Sequence, residues 1–230
     1  MTMFASSPAL SPAQLAAVAK LAYALEATGS LAVLCGAAGV GKTLVLDAVA
    51  RHVASGGGAG AAGRRPERGR TASRLPLAGV RDLVASATPL PDVVLVDDAH
   101  LAEDGEIGRL IDACRSGRPD MGIVLAGQGR LLTLLARDAR LERSVRLRVT
   151  VPPFSKAETR LLVAALTGAG ALPRDDQEVA TTIHEIAGGI PAEIVRLAEL
   201  AAVVANGTSG QPLTVADVET IHRRLGINAA

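Results

Sequence analysis

Eight residues, GAAGVGKT at positions 36–43, constrain the fold of this chain more than any other stretch. Three glycines occur here between two aliphatic runs, although glycine weakens both helices and strands. The run before them, LAVLCG at 31–36, is short and continuously apolar, which is typical of a buried parallel strand. The run after them, TLVLDAVARHVA at 43–54, has the apolar spacing of a helix. The glycines are therefore predicted to form a turn that joins a buried strand to a helix.

The spacing of this turn matches the pattern G-x-x-x-x-G-K-[ST]. In such a turn, successive backbone N–H groups and the start of the next helix point at phosphate oxygens. Lys42 is expected to reach the β- and γ-phosphates of ATP, and the Thr43 hydroxyl to ligate Mg²⁺. The alternative is a glycine-rich turn with no ligand. The predicted nucleotide-binding residues are Gly36, Ala37, Ala38, Gly39, Val40, Gly41, Lys42, Thr43 and Leu44.

A second apolar run, VVLV, ends in two acids, Asp97 and Asp98. Open α/β sheets bind ligands at the carboxyl ends of their strands, which is where this run places Asp97. We predict that Asp97 holds Mg²⁺ through water beside Thr43, and that Asp98 polarises the attacking water. The alternative is that both acids cap the following helix.

Two further polar features are candidates for the same site. A third apolar run, IVLAG, ends at Gln128, which could position the attacking water; the alternative is an ordinary loop glutamine. An arginine supplied by a neighbouring molecule can stabilise a phosphoryl group in transfer. The alternative for each arginine is a solvated surface position. The candidate arginines in the stretch 139–148 are Arg140, Arg143, Arg146 and Arg148.

The remaining pattern predicts an α/β domain over 1–151 and a helical domain over 152–230. Ser11, Pro12 and Gln14 form a capping-box start for an N-terminal helix. The Gly/Ala- and Arg-rich stretch 55–74 has no periodicity, so it is predicted to be a flexible loop. The stretch 144–151 is predicted as a fourth strand near a sheet edge, and the sequence after it as four helices and no strand.

The hydrophobic content, net charge and cysteines of the chain limit the classes of function that it can have. The 230 residues are 49% hydrophobic and carry a net charge of +1, so no global field draws the chain to nucleic acid or membrane. Cys35 and Cys114 have no metal-site spacing and are expected to be buried thiols. We find no signal peptide and no apolar run long enough to span a bilayer. The expectation is a cytoplasmic protein without membrane insertion.

The chain resembles the AAA ATPases of the ExeA/GspA type, which are associated with secretion and cell-envelope assembly and are related to the TniB and MuB transposition ATPases. The resemblance covers nearly the whole chain from about residue 10. It rests on the stretches VVLVDDAH, IVLAGQGRLLTLL, LERSVRLRVTVPPFSKAETRLLVAAL, IAGGIPAEIVRLAELAAVVA and LTVADVETI.

The resemblance implies a P-loop NTPase fold of the AAA type, with a three-layer αβα parallel sheet and a small all-α lid. It implies that Gln128 is the sensor residue, that Arg143 is an arginine finger and that the protein forms a homo-oligomer. Two residues depart from the family pattern: Asp98 stands in place of Glu, and Ala192 in place of an arginine, although Arg196 lies one turn later. Both departures predict slow hydrolysis.

Three functions follow from these features. The first is an ATP-hydrolysing motor or switch that acts through a protein partner in secretion or envelope assembly. The second is a DNA-transaction ATPase, which the near-zero net charge and the lack of interleaved aromatics disfavour. The third is a nucleotide-dependent switch with little hydrolysis, supported by Asp98 and Ala192. The basic residues offered for DNA phosphates are Arg64, Arg65, Arg68, Arg70 and Arg74.

Overall fold

The structure, a computed structural model, describes residues 10–56, 70–86, 89–167, 177–207 and 213–227. The chain forms two compact units. One unit comprises residues 1–37 and 41–151, and the other comprises residues 38–40 and 152–230.

A five-stranded sheet forms the centre of the first unit, with the strand order β2–β3–β4–β1–β5 and every pair parallel. All carboxyl ends therefore lie along one edge of the sheet. The inner strands β1, β3 and β4 are buried at every position, which is why each is a continuous apolar run. The strands are β1 (Leu31–Cys35), β2 (Ala72–Pro76), β3 (Val93–Asp97), β4 (Gly122–Gly127) and β5 (Val145–Thr150).

Helices flank this sheet, and the predicted α/β three-layer fold is confirmed. The first helix begins as predicted: the Ser11 hydroxyl accepts from the Gln14 N–H at 3.3 Å, and the Ser11 N–H donates to Gln14 Oε1 at 2.9 Å. The elements are α1 (Pro12–Leu25), α2 (Lys42–Ala54), α3 (Leu77–Ala85), a short 3-10 helix (Ala99–Leu101), α4 (Glu106–Gly117), α5 (Gly129–Ala136) and α6 (Ala139–Ser144).

The second unit contains the four helices that the sequence predicts after residue 152. They pack around a separate apolar core that includes Val163, Ile183 and Leu197. Within this unit, the Ala192 N–H donates to the carbonyl of Gly39 at 3.2 Å. That the stretch 152–230 is an independent domain stays a prediction. The helices are α7 (Lys156–Thr167), α8 (Gln177–Ala187), α9 (Pro191–Gly207) and α10 (Val215–Ile227).

The prediction of a flexible loop over 55–74 is wrong at its end. Residues 72–76 form β2, which pairs in parallel register with β3 from Ala72 opposite Val93 to Pro76 opposite Asp97. This strand lies at the sheet edge and is only half buried, so its residues do not form an apolar run. Residues 57–69 of the predicted loop lie outside the described residues.

Both cysteines are free, buried thiols, as predicted. Burial raises the pKa of Cys114, and it raises that of Cys35 despite the opposing charges of Lys42 and Arg148. In the described part of the chain, every helix is too short or too polar to cross a membrane.

Candidate nucleotide-binding site

The glycine-rich turn joins β1 to α2 and has the backbone that its sequence requires. Gly39 and Gly41 lie in the left-handed region, with φ of 76° and 94°, which favours glycine. A Cβ atom on Gly41 would lie 2.4 Å from the side-chain nitrogen of Gln14. Residues 37–39 are exposed, and no side chain caps the start of α2. The turn therefore presents backbone N–H groups at a helix start, a geometry that suits phosphate.

Lys42 is the first residue of α2, and its side chain folds back over the turn. Its Nζ donates to the carbonyls of Gly36 at 3.1 Å and Ala37 at 2.8 Å. Burial lowers the pKa of Lys42, while the nearby charges of Asp98 and Asp97 act in the opposite direction. The ammonium group is thus held at the turn where a phosphate would bind.

Thr43 and Asp97 come together across 54 residues of sequence. The Thr43 hydroxyl donates to Asp97 Oδ2 at 2.8 Å, and the Asp98 N–H donates to Asp97 Oδ1 at 3.0 Å. A hydroxyl and a carboxylate at this spacing fit Mg²⁺, which prefers oxygen ligands and keeps several waters. In the described ranges, no group of three or more His, Cys, Asp or Glu side chains is arranged to hold a metal ion.

Asp98 follows directly and has an unusual backbone. Its φ is 51°, and no other non-glycine residue among those described has a positive φ. The side chain is 60% exposed and makes no capping bond to the 3-10 helix that follows it. The capping alternative therefore finds no support at Asp98. The left-handed turn directs the chain away from the strand and leaves this carboxylate open to solvent.

Gln128 lies at the end of the adjacent strand β4 and contacts a residue that the sequence analysis missed. Its Nε2 is 3.0 Å from Nε2 of His100, and its side chain does not cap α5. His100 lies in the 3-10 helix, two residues after Asp98. The sequence signal for His100 is its position soon after the acid pair that ends β3. A residue there stays at the same edge of the sheet as Asp97 and Gln128.

The structure does not bring Arg143 to the other candidate residues. Arg143 is exposed on α6, where its Nε donates to the Ala139 carbonyl at 2.9 Å, and it makes no hydrogen bond to Thr43, Asp97 or Asp98. Its role as an arginine finger stays a prediction that needs a second molecule. In the helical unit, Arg196 pairs with Glu193 across 3.4 Å.

The other candidate arginines mostly have acidic partners. Arg146 and Arg148 are both exposed on β5, as strand alternation predicts. Arg148 pairs with Glu142 at 2.7 Å. Arg140 makes a two-pronged pair with Asp112, at 2.7 and 2.9 Å.

The predicted basic loop is only partly described, and its described arginines bond within the chain. Arg70 donates to the carbonyl of Leu25 at 2.7 Å. Arg74 lies on β2, with Nε 2.5 Å from Asp47 and Nη1 3.4 Å from Asp97 Oδ2. The sequence predicts Arg74 in a loop that contacts DNA phosphates, whereas the structure places it on an edge strand beside Asp97. Arg64, Arg65 and Arg68 lie outside the described residues.

No protein-family model matches this sequence, and no curated protein matches it. Solved structures do match its fold. ORC1 of Aeropyrum pernix, solved in complex with DNA, has a TM-score of 0.67 and 16% identity, covering 95% of this chain and 67% of that one. ORC2 of the same organism, solved in ADPNP-ADP complexes, has a TM-score of 0.64 and 12% identity, covering 93% and 68%.

A variant of RuvB from Thermotoga maritima also matches, with a TM-score of 0.64 and 15% identity, covering 93% of this chain and 71% of that one. At these identities the likeness shows the fold alone. The chain therefore shares its α/β fold with these proteins, and in this chain a glycine-rich turn and an acid-ended strand meet at one edge of the parallel sheet.

Proposed function

We propose that this protein binds ATP with Mg²⁺ at the carboxyl edge of its sheet and hydrolyses it slowly. One observation carries the proposal: the 2.8 Å hydrogen bond from Thr43 to Asp97. This bond joins the glycine-rich turn after β1 to the acid at the end of β3. It brings together the Thr43 hydroxyl, which suits direct ligation of Mg²⁺, and the Asp97 carboxylate, which suits holding Mg²⁺ through water.

Each side chain then has a definite task. The N–H groups of residues 36–41 and the Lys42 ammonium would hold the phosphates, and Thr43 and Asp97 would hold Mg²⁺. When bound, Mg²⁺ supplies charge neutralisation at the phosphate oxygens. Asp98, exposed beside Asp97, would accept a proton from the attacking water, and Gln128 would help to orient that water.

Slow turnover follows from the length of the Asp98 side chain. Aspartate is one methylene shorter than the glutamate that the family uses, and a misplacement of ~1 Å can cost ~100-fold in rate. We therefore expect basal turnover below ~1 s⁻¹, the low end of ordinary enzymes. If turnover proved undetectable while ATP still bound, the nucleotide-dependent switch would replace the slow ATPase.

Self-association is the second part of the proposal. Arg143 is exposed and unconnected to the site of its own molecule, so a neighbouring molecule would have to receive it. Turnover per molecule should then rise with protein concentration in the wild type and stay flat in Arg143→Ala. Arg137→Ala, which removes another exposed arginine of the same region, is the matched control. A concentration-independent wild-type rate contradicts this role for Arg143.

The proposed cellular role is that of a cytoplasmic protein with a partner in secretion or envelope assembly, and the family resemblance supports this role. The DNA-transaction alternative is prompted by Aeropyrum pernix ORC1, a protein of similar fold that was solved in complex with DNA. Against it, Arg70 and Arg74 are already bonded within the chain. Salt-sensitive shifting of a labelled duplex in a gel, lost on deletion of residues 64–69, would favour the DNA role.

The hydrolysis proposal is tested by steady-state phosphate release from the wild type, Asp98→Asn and Asp98→Glu at matched protein concentration. Asp98→Asn should keep ATP binding and lose turnover, because an amide cannot accept the water's proton. Asp98→Glu should retain activity, and its longer side chain is expected to raise the rate. Equal rates for the wild type and Asp98→Asn would show that Asp98 is not the catalytic base.

A further inference from the structure

His100 occupies a position that several neighbours hold in place. A Cβ atom on Gly127 would lie 3.0 Å from both the Cβ and the backbone nitrogen of His100, so a larger residue at 127 would push against His100. Nη1 of Arg130 donates to the His100 carbonyl at 2.5 Å. The His100 side chain is only 12% exposed. The ring is therefore fixed in the crevice between the ends of β3 and β4.

The two ring nitrogens face the two residues proposed to handle the attacking water. Nε2 lies 3.0 Å from the amide nitrogen of Gln128, and Nδ1 lies 3.9 Å from Oδ1 of Asp98. With the Gln128 amide in this orientation, its N–H group donates to Nε2 of a neutral ring, which places the ring proton on Nδ1. The Gln128 contact thereby leaves Nδ1–H of His100 facing Asp98.

Nδ1 of His100 is buried and has no hydrogen-bond partner among the described residues. A buried donor without a partner destabilises the folded state, so such a group calls for an explanation. The Asp98 side chain is 60% exposed, and closing the gap from 3.9 Å would give Nδ1 a carboxylate partner. The unpaired donor and the exposed acceptor thus complement each other.

We propose that His100 is a positioning residue for hydrolysis. Its Nδ1–H group orients the Asp98 carboxylate, and the Gln128 amide, by donating to His100 Nε2, fixes the tautomer of the His100 ring. The inference rests on the proposed function and deepens it. It gives Gln128 an indirect task besides holding water. It also offers a way in which the short side chain of Asp98 is kept in a productive orientation.

Three variants separate the two ends of the ring. Asn places an amide nitrogen near the position of Nδ1, whereas Gln places one near Nε2; Ala removes both. We expect His100→Gln and His100→Ala to lower kcat by about 10- to 100-fold, as for a misplaced catalytic group. His100→Asn should retain a kcat several-fold above that of His100→Gln, and ATP affinity should change by less than about 2-fold in all three. Equal kcat values for the Asn and Gln variants would overturn the proposal, as would a loss of ATP affinity that matches the loss of kcat.

A second measurement needs no nucleotide. The ¹⁵N chemical shifts of the His100 ring in the ATP-free protein, assigned by comparison with His100→Gln, report which nitrogen carries the proton. We expect the Nδ1–H tautomer. An Nε2–H tautomer would mean that Nε2 donates to the Gln128 oxygen, and it would overturn the inference even if ATP hydrolysis were confirmed. Failure of ATP binding would instead overturn the proposed function and leave the tautomer result standing.

Discussion

The neighbouring strands β3 and β2 both reach Asp97, but in different ways. β3 is buried at all five positions and delivers Asp97 simply by ending there. β2 is half buried at the sheet edge and delivers Arg74 from its middle, through a long side chain that meets Asp97 at 3.4 Å. Asp47, on α2, holds the same guanidinium from the other side. The inner strand therefore supplies a site residue through its backbone position, and the edge strand supplies one through side-chain reach.

This difference shows which parts of a site a sequence reveals. Strands buried on both faces must be apolar, and a polar residue at such a strand's end stands out. Edge strands accept charges and half-buried positions, so their contributions to a site look like loop sequence. The experiments below test whether β3 and β2 differ in stability, in charge and in their effect on the metal ion.

The largest expected difference is in stability. Leu95 of β3 is fully buried, so Leu95→Ala should lower the free energy of unfolding by about 2–5 kcal/mol. Leu75 of β2 is only partly buried against the core, so Leu75→Ala should cost less than half as much. Urea unfolding followed by circular dichroism measures both. Equal losses would show that the edge strand carries as much of the core as the inner one.

The next largest expected effect concerns an ion pair between α3, which follows β2, and α4, which follows β3. Glu106 of α4 is buried and accepts from the Arg81 Nε of α3 at 2.6 Å and from the Glu103 N–H at 2.8 Å. Burial alone would raise the pKa of Glu106, but the Glu103 N–H and the Arg81 guanidinium outweigh burial and lower that pKa. Glu106→Gln should therefore cost about 1–2 kcal/mol at neutral pH, a modest value because Arg81 is largely exposed.

The pH dependence has a definite sign. A carboxyl group whose folded pKa is depressed stabilises the protein above its unfolded pKa, about 4.3 for Glu, and loses that contribution as the pH falls through the folded pKa. The stability gap between the wild type and Glu106→Gln should close below about pH 4. The exposed residue Glu178 provides the control variant Glu178→Gln. A gap that persists at low pH would count against the ion pair.

The smallest expected effect is on the Mg²⁺ requirement. Removing a cation beside the carboxylate should favour Mg²⁺, so Arg74→Ala should lower the Mg²⁺ concentration that half-saturates ATP binding. Asp47→Asn removes the other acidic partner of Arg74, leaves its charge to Asp97 and should raise that concentration. Each shift should be about 2- to 5-fold, since partly exposed pairs contribute ~0.2–1 kcal/mol. Shifts in the same direction for both variants would contradict a charge effect at the site.

The sequence was sufficient for the features that local rules determine. The turn at 36–43, the buried strands and the four later helices each follow from periodicity, glycine spacing or caps, and the structure contains all of them. The sequence did not predict β2, because Arg74 and Pro76 interrupt any apolar pattern there. The contact of His100 with Gln128 joins residues 28 positions apart, and it depends on strand order, which no local pattern encodes.

The central claim, that the turn at 36–43 binds the phosphates of ATP, is tested most directly by calorimetric titration of the full chain with Mg²⁺ and ATP. We expect the wild type and Lys20→Ala, which removes an exposed lysine of α1, to bind with equal affinity. Lys42→Ala should bind at least about 10-fold more weakly, since a charge-assisted hydrogen bond contributes ~1.5–3 kcal/mol. Unchanged affinity in Lys42→Ala, or no binding by the wild type, would contradict the claim.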